Sequence, residues 1–459
     1  MKNANNNLSL LEASKRIFSL ALPMSGSQLI NVASGFLCMA MLAALGHEVL
    51  AASALIFSTQ LSIMVSGMSI LFSLSVLVGH AYGAKDYATV GNYVQQGWTL
   101  AILISIPIML LFWNIDSVLL FFGQSKEIAN IVHVYFHAFV WAVIPGFLST
   151  CNMQFGYGIH KKALIVSTSL MSVTILLVTA YILIFGKFGF PKLGVAGLGY
   201  ATTAQYSFFF LFTTIFFFYE KSFAQFELFR YRVHQHLDHF AKMFKIGWPI
   251  SVQMGGEMLS FFVSGIMIGW IGTVALAAFQ IVNQYYFLIV IPIFSLSQAS
   301  GILVGHACGA KQFHEVKKLS YASVAMALIA SSLVAIIFLL FPKNLSSFYI
   351  NIQDPANSAT VHLSVLIFMI IAFSQIFDAI RNVLIGILRG LFDTRFPMYM
   401  SLFTIWVIGM PLSYFLAFPM KWGAIGFVIG GMLGMFSGVI IMLYRWHQLS
   451  KQYPELSAN

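Results

Sequence analysis

Charge is what this sequence has least of. Asp, Glu, Lys and Arg together make up 8% of its 459 residues, whereas a domain that must face water on all sides carries about a quarter. That scarcity excludes an ordinary soluble protein. Long polar linkers are missing too, so the chain does not read as the roughly three soluble domains its length would otherwise suggest. Three cysteines, Cys38, Cys151 and Cys308, have neither disulfide-framework nor zinc-ligand spacing. No nucleophile has a base at a recognisable spacing, and no glycine-rich phosphate loop is present, so neither an enzyme nor an ATP-driven pump is expected.

Hydrophobic residues are abundant, at 59% of the chain. Apolar runs of about 20 residues or more recur along its length, each able to cross ~30 Å of hydrocarbon as a helix. The expected spans are 17–44, 50–79, 95–121, 130–156, 163–186, 194–219, 247–271, 275–304, 320–341, 359–388, 397–418 and 424–445. The polar, amphipathic start of the chain leads into a span too long for a cleaved signal peptide and reads as a cytoplasmic stub. With that end inside, 18 of the 24 Lys and Arg residues fall on the cytoplasmic side and five outside, with Arg381 left within a span. This bias fixes the expected orientation, with both termini cytoplasmic. It also absorbs the net charge of +10, leaving no basic surface for a nucleic acid.

The phrase VGHAYGAK at 78–85 returns as VGHACGAK at 304–311, an offset of 226 residues. The same offset pairs Pro23 with Pro249, Ser25 with Ser251 and Gly46 with Gly272, and drifts to 232 where Gly158 meets Gly390. Six spans separate the copies, so both halves enter the membrane in the same direction. The expected fold is an all-α polytopic membrane protein of twelve transmembrane helices, in two six-helix bundles related by a parallel internal repeat. Its parts are an N-terminal lobe at 1–219, a cytoplasmic linker at 220–246, a C-terminal lobe at 247–445 and a cytoplasmic tail at 446–459. The octapeptide reads as helix packing through Gly79/Gly83 and Gly305/Gly309, followed by a tight turn. His234, His236 and His239 belong to what reads as a solvated basic linker rather than a metal cluster. His133 and His137, at i and i+4, read as interfacial histidines for want of a third ligand.

Two of the fourteen acidic residues lie deep within apolar spans: Glu257 and Asp378. An ionisable group there costs about 2.5 kcal/mol or more, which makes it a functional candidate by default. Counted from the cytoplasmic span ends, both sit ~15–17 Å deep, near the bilayer midplane. Carboxylates at matching depth on two helices can share one hard cation, Na⁺ or H⁺. The first half has no such acids: Glu257 aligns with Asn31 and Asp378 with Gly146.

LPMSGSQLINV near the start, the two VGHAxGAK phrases, GKFGFPKLGVAGLGYATT at 186–203, GWPISVQMGGEM and LRGLFDTRFPM at 388–398 together resemble the multidrug and toxic compound extrusion (MATE) family, particularly its NorM-like bacterial branch. The likeness covers nearly the whole chain. It implies a multi-pass protein of the bacterial cytoplasmic membrane, functional as a monomer among lipids without a bound cofactor. Its activity would be Na⁺- or H⁺-coupled antiport of amphipathic, mostly cationic organic compounds. It further implies that Glu257 and Asp378 bind the cation, that Phe261 can face it and that Gln280 lies near the cavity, with Tyr285 and Tyr286 either lining it too or simply packing. Two departures stand out. Cys38, Leu176 and Ala180 occupy positions where many members carry an aspartate and two asparagines, which argues against a first-half cation site. Arg381 stands three residues after Asp378; it is expected to snorkel toward the cytoplasm, with pairing to Asp378 as the alternative. The rival readings are a flippase for an anionic lipid-linked precursor, which would want several basic residues in its cavity, and an ion channel.

Overall fold

The computed structural model describes residues 8–230 and 236–456. Among them, twelve helices are long and apolar enough to cross a membrane. They are α1 Leu10–Ala43, α2 His47–Gly83, α3 Tyr87–Trp113, α4 Lys126–Gly158, α5 Lys162–Phe185, α6 Val195–Tyr219, α7 His236–Ile271, α8 Thr273–Gly309, α9 Phe313–Leu340, α10 Ser358–Gly390, α11 Arg395–Ala417 and α12 Gly423–Leu456. Helix is the structure these sequences must take, because in hydrocarbon every backbone N–H and C=O needs a partner within its own segment. At 37 residues each, α2 and α8 run ~55 Å and extend beyond a ~30 Å core.

The repeat is visible in the backbone. Gly46 and Gly272 precede α2 and α8 with φ of 134° and 142°, a conformation that costs glycine nothing and other residues a great deal. At the far ends of the same helices, Lys85 and Lys311 take the left-handed conformation with φ of 59° and 57°. Their N–H groups donate to Tyr82 and Cys308, and the next residues, Asp86 and Gln312, donate to Ala81 and Ala307. The duplicated octapeptide thus writes one C-terminal helix stop twice. α4 and α10 are both 33 residues long and end before His160 and Phe392, each with φ of 62°; these pairs keep the offset of 232.

Two compact units are present. One comprises Gly26–Ser251 and the other Val252–Asn459 together with Met1–Ser25. The unit boundaries fall at Ser25 and Ser251, which the 226 offset aligns, so each unit takes in the first turns of the other half's leading helix. In the second unit the Arg16 guanidinium pairs with Glu315 at 3.1 Å.

α4 and α10 are the hubs. α4 packs along α2, α3 and α6, and α10 along α8, α9 and α12. The α8–α10 contact is backbone-close: a Cβ on Gly386 would overlap the Ser297 carbonyl oxygen, and one on Gly301 or Gly390 would come within 2.6 Å of a carbonyl oxygen on the facing helix. Small residues are what permit such approach between membrane helices.

Two sequence expectations need correction. The third span runs Tyr87–Trp113, not 95–121; Ile115–Phe121 is a separate short helix that begins after Asn114. Hydropathy misses the polar start of α3 because Asn92 and Gln96 are buried there. The linker is also less solvated than its composition suggests. Phe223, Phe226 and Leu228 are buried in the first unit, and the Gln95 side-chain amide donates to the carbonyls of Leu228 and Arg230 at 2.8 and 3.1 Å. His239 packs edge-on against Tyr93; His234 lies outside the described residues.

Replacing Gly386 with leucine should force α8 and α10 apart. Overpacking of this kind costs about 1–3 kcal/mol or more. The expected result is a lower melting temperature of the detergent-purified protein, while Gly35→Leu, where a Cβ meets nothing within 4 Å, should leave it unchanged.

Candidate functional site

The second unit buries a cluster of charges built mainly from α7 and α10. α10 presents Asp378, Arg381, Asn382 and Arg389, spaced so that they share one helical face. From α7, Gln253 and Glu257 stand one turn apart. Arg381 joins them: Nη1 donates to Glu257 Oε1 at 3.1 Å, and Nη2 to Asp378 Oδ1 at 2.9 Å. Its Nε is 3.3 Å from the same Asp378 oxygen, and its Nη1 also reaches Ser401 Oγ of α11 at 3.3 Å. Arg381 is 2% exposed, and the Asp378 and Glu257 side chains 8% and 12%. The arginine therefore does not snorkel. It turns inward because two carboxylates at its own depth offset its charge, and because Gly438 of α12 leaves room for its stem; a Cβ there would sit 2.9 Å from Arg381 Cδ.

Further donors complete the cluster. Tyr286 of α8 donates its hydroxyl to Asp378 Oδ2 at 2.7 Å, and Asn382 Nδ2 donates to Asp378 Oδ1 at 3.0 Å. Gln253 uses both ends of its amide: Nε2 donates to Glu257 Oε1 at 3.1 Å, while Oε1 accepts from Arg389 Nη2 at 3.0 Å. The result is a continuous hydrogen-bonded chain, Arg389–Gln253–Glu257–Arg381–Asp378–Tyr286. Arg389 is buried, and its Nε has no hydrogen-bond partner among the described residues. α11 widens into a π-helical stretch at Phe403–Gly409, and within it Trp406 Nε1 donates to the Gly256 carbonyl at 3.3 Å, fixing α7 beside the acids.

Glu257, Asp378, Arg381 and Tyr286 are thus brought together as one group. Phe261 borders it, with its ring centroid 6.1 Å from that of Tyr286. Tyr285 faces away; its hydroxyl donates to Leu345 O and its ring packs on Phe338, Tyr349 and Phe368. Gln280 is exposed, six residues before Tyr286 on α8, and is not part of the group. Hydropathy singles out none of Gln253, Asn382 and Ser401, and Arg389, expected as a cytoplasmic charge at the span end, is buried. The one signal for Gln253 was its position a turn before Glu257.

The first unit is neutral at the equivalent places. Asn31, aligned with Glu257, accepts from Gln205 Nε2 at 3.4 Å. Gln60, aligned with Tyr286, accepts from Tyr135 Oη at 2.6 Å. Gly146, aligned with Asp378, is crowded by Tyr206 and Met68. Cys38, Leu176 and Ala180 are buried. The His133 and His137 rings lie 3.8 Å apart and tilted, with Trp113 stacked on His137 at 4.2 Å and Asp116 at 3.3 Å from His133. Among the described residues, no group of three or more His, Cys, Asp or Glu side chains is arranged to hold a metal.

Known proteins resemble the chain in sequence and in fold. The family model named MatE matches residues 23–183 and again 249–415, one copy in each half. The multidrug resistance protein NorM of Burkholderia vietnamiensis is 31% identical over 432 residues, covering 93% of this chain and 92% of that protein. A probable multidrug resistance protein NorM of Synechocystis sp. is 28% identical over 444 residues, covering 96% and 95%. A solved structure of a MATE protein in the bent conformation superposes with a TM-score of 0.89 over the full length of both chains at 16% identity. With twelve apolar helices, a twofold sequence match and relatives aligned end to end, the chain is a multi-pass integral membrane protein of the MatE family.

Proposed function

We propose that this protein exports amphipathic, mostly cationic organic compounds by antiport against an inward cation gradient, Na⁺ or H⁺, through alternating access. The observation that carries the reading is the pair of carboxylates, Asp378 buried and Glu257 nearly so, brought together in the second unit and bridged by a single guanidinium. Buried ionisable groups inside a membrane domain mark ion and substrate pathways. The NorM relatives are named as multidrug resistance proteins, which supports the same class of cargo. The family consists of transporters, and we infer that the chain is not an enzyme. We place it in a bacterial cytoplasmic membrane with both termini cytoplasmic, working as a monomer on two six-helix lobes.

In this mechanism the organic cation enters from the cytoplasm or inner leaflet. The coupling ion, arriving from outside, interacts with Glu257 and Asp378 and weakens the hold on the cargo. Coupling requires that the ion bind the two access states with different affinity. The carboxylates supply that difference only if Arg381 shifts its hydrogen bonds between states, since both acids are committed to it here. At the places equivalent to Glu257 and Asp378 the first unit carries Asn31 and Gly146, without charge, so ion coupling falls to the second. A flippase for an anionic lipid-linked precursor is the second reading. Arg381 and Arg389 are the groups it would need, but Arg381 is engaged by acids and Arg389 by Gln253, which favours antiport.

The test is efflux of a fluorescent lipophilic cation from proteoliposomes under separately imposed sodium and pH gradients at clamped potential. Response to one gradient supports antiport, and response to neither overturns it. Glu257→Gln and Asp378→Asn should each abolish the gradient-driven component while leaving the purified protein monodisperse. Tyr286→Phe removes one hydrogen bond to a charged acceptor, a contribution of about 1.5–3 kcal/mol. It should shift the ion-concentration dependence of efflux without abolishing transport, measured as the half-saturating ion concentration.

A further inference from the structure

We infer that Arg381 is a tethered counter-cation that occupies the place an alkali metal ion would take between Glu257 and Asp378, and so excludes Na⁺ from this site. The inference rests on the antiport reading for its functional meaning, but its physical content is separate from it.

Three observations carry it. First, three of the four carboxylate oxygens a sodium ion would use are already accepting hydrogen bonds. Asp378 Oδ1 takes Arg381 Nε, Arg381 Nη2 and Asn382 Nδ2; Asp378 Oδ2 takes Tyr286 Oη; Glu257 Oε1 takes Arg381 Nη1 and Gln253 Nε2. A metal ion needs lone pairs, and four of these six donor atoms belong to groups fixed on neighbouring helices or to the guanidinium itself. Second, the charge is balanced. Glu257 and Asp378 stand against Arg381 and Arg389, all within one connected chain. An added monovalent cation would leave the buried cluster with a net positive charge where low dielectric makes that most costly. Third, the guanidinium is closed in. Its stem passes over Gly438, it is 2% exposed, and among the described residues its one further partner is Ser401 Oγ. Sodium could enter only by displacing an ion that is covalently held at an effective concentration far above that of any free one.

A glutamine at position 381 would keep a polar side chain of similar length and lose the charge. Glu257 and Asp378 would then face each other across a space with no cation, on three helices that hold amide, hydroxyl and carboxylate oxygens. That is the donor set a hard monovalent ion prefers.

The experiment is direct binding of radioactive ²²Na⁺ to the purified full-length protein, alongside efflux from proteoliposomes under a sodium gradient with pH and potential clamped. The wild type should show no saturable Na⁺ binding and no sodium-driven efflux. Arg381→Gln, if monodisperse, should gain saturable Na⁺ binding that the wild type lacks, and the double variant with Glu257→Gln should lose it again. Saturable Na⁺ binding to the wild type that Glu257→Gln abolishes would overturn the inference, as would sodium-driven efflux by the wild type. A well-folded Arg381→Gln that still binds no Na⁺ would also overturn it, because something other than the arginine would then exclude the ion. If Arg381→Gln does not fold, the wild-type binding measurement decides alone. Failure of both gradients to drive efflux would defeat the antiport reading and leave the binding result standing, so the two can fail separately.

Discussion

A charge inside a membrane domain must be answered by another, and the second unit is arranged around one such answer: Arg381 held between Glu257 and Asp378. Three helices are drawn to that point. α7 brings Glu257, α10 brings Asp378 and the arginine, and α8 brings Tyr286. Around it, Ser401 and Gly438 on α11 and α12 are chosen by what the guanidinium needs, a weak acceptor on one side and empty space on the other. Removing one member of a buried pair leaves the other uncompensated, at about 3–5 kcal/mol. The cluster therefore resists partial rearrangement: if it changes, its hydrogen bonds change together, which is the behaviour a two-state transporter requires.

The scaffold that carries this cluster does not depend on it. The hub helices α4 and α10 have equal length and matching left-handed stops, yet α4 buries Gly146 and Ser149 where α10 buries Asp378 and Arg381. What both halves share is glycine-mediated closeness and the paired turns after the octapeptides. Helix association in a membrane is driven by packing and by hydrogen bonds, not by charge. A duplicated bundle can therefore hold its shape while one copy keeps the ionisable residues and the other goes neutral.

Much of this was legible in the sequence, for physical reasons. Hydropathy reports length, so the twelve spans and the repeat could be read, and Glu257 and Asp378 stood out as acids within apolar runs. It does not report rotation or neighbours. Arg381 is the clearest case: at i+3 from Asp378 it was free to pair or to snorkel, and the outcome turned on Glu257 of another helix and on Gly438, fifty-seven residues later in the chain. The start of α3 was lost for a related reason. Its polar residues read as membrane-exit signals, whereas Gln95 is spent on linker carbonyls and Asn92 and Gln96 are buried. Polar residues satisfied by distant backbone are invisible to any local window. Gln253 and Arg389 belong to the same class, since each acquires its meaning only through the other.

The order of the buried chain has its own consequence. Arg389 lies at the end of α10, one residue before Gly390, where the helix closes against α8 through the Gly301 carbonyl. From there the hydrogen bonds run inward through Gln253 to Glu257 and on to Asp378. Gln253 is the one neutral link, and its amide is polarised by a cation on its oxygen and an anion below its nitrogen. Hydrogen bonds in such a series strengthen one another in low dielectric. A change of charge at Glu257 is therefore felt by Gln253 and through it by Arg389, beside one of the close approaches of α8 and α10. That places the group best suited to bind an ion and the contact best suited to resist helix movement at opposite ends of a single polar thread.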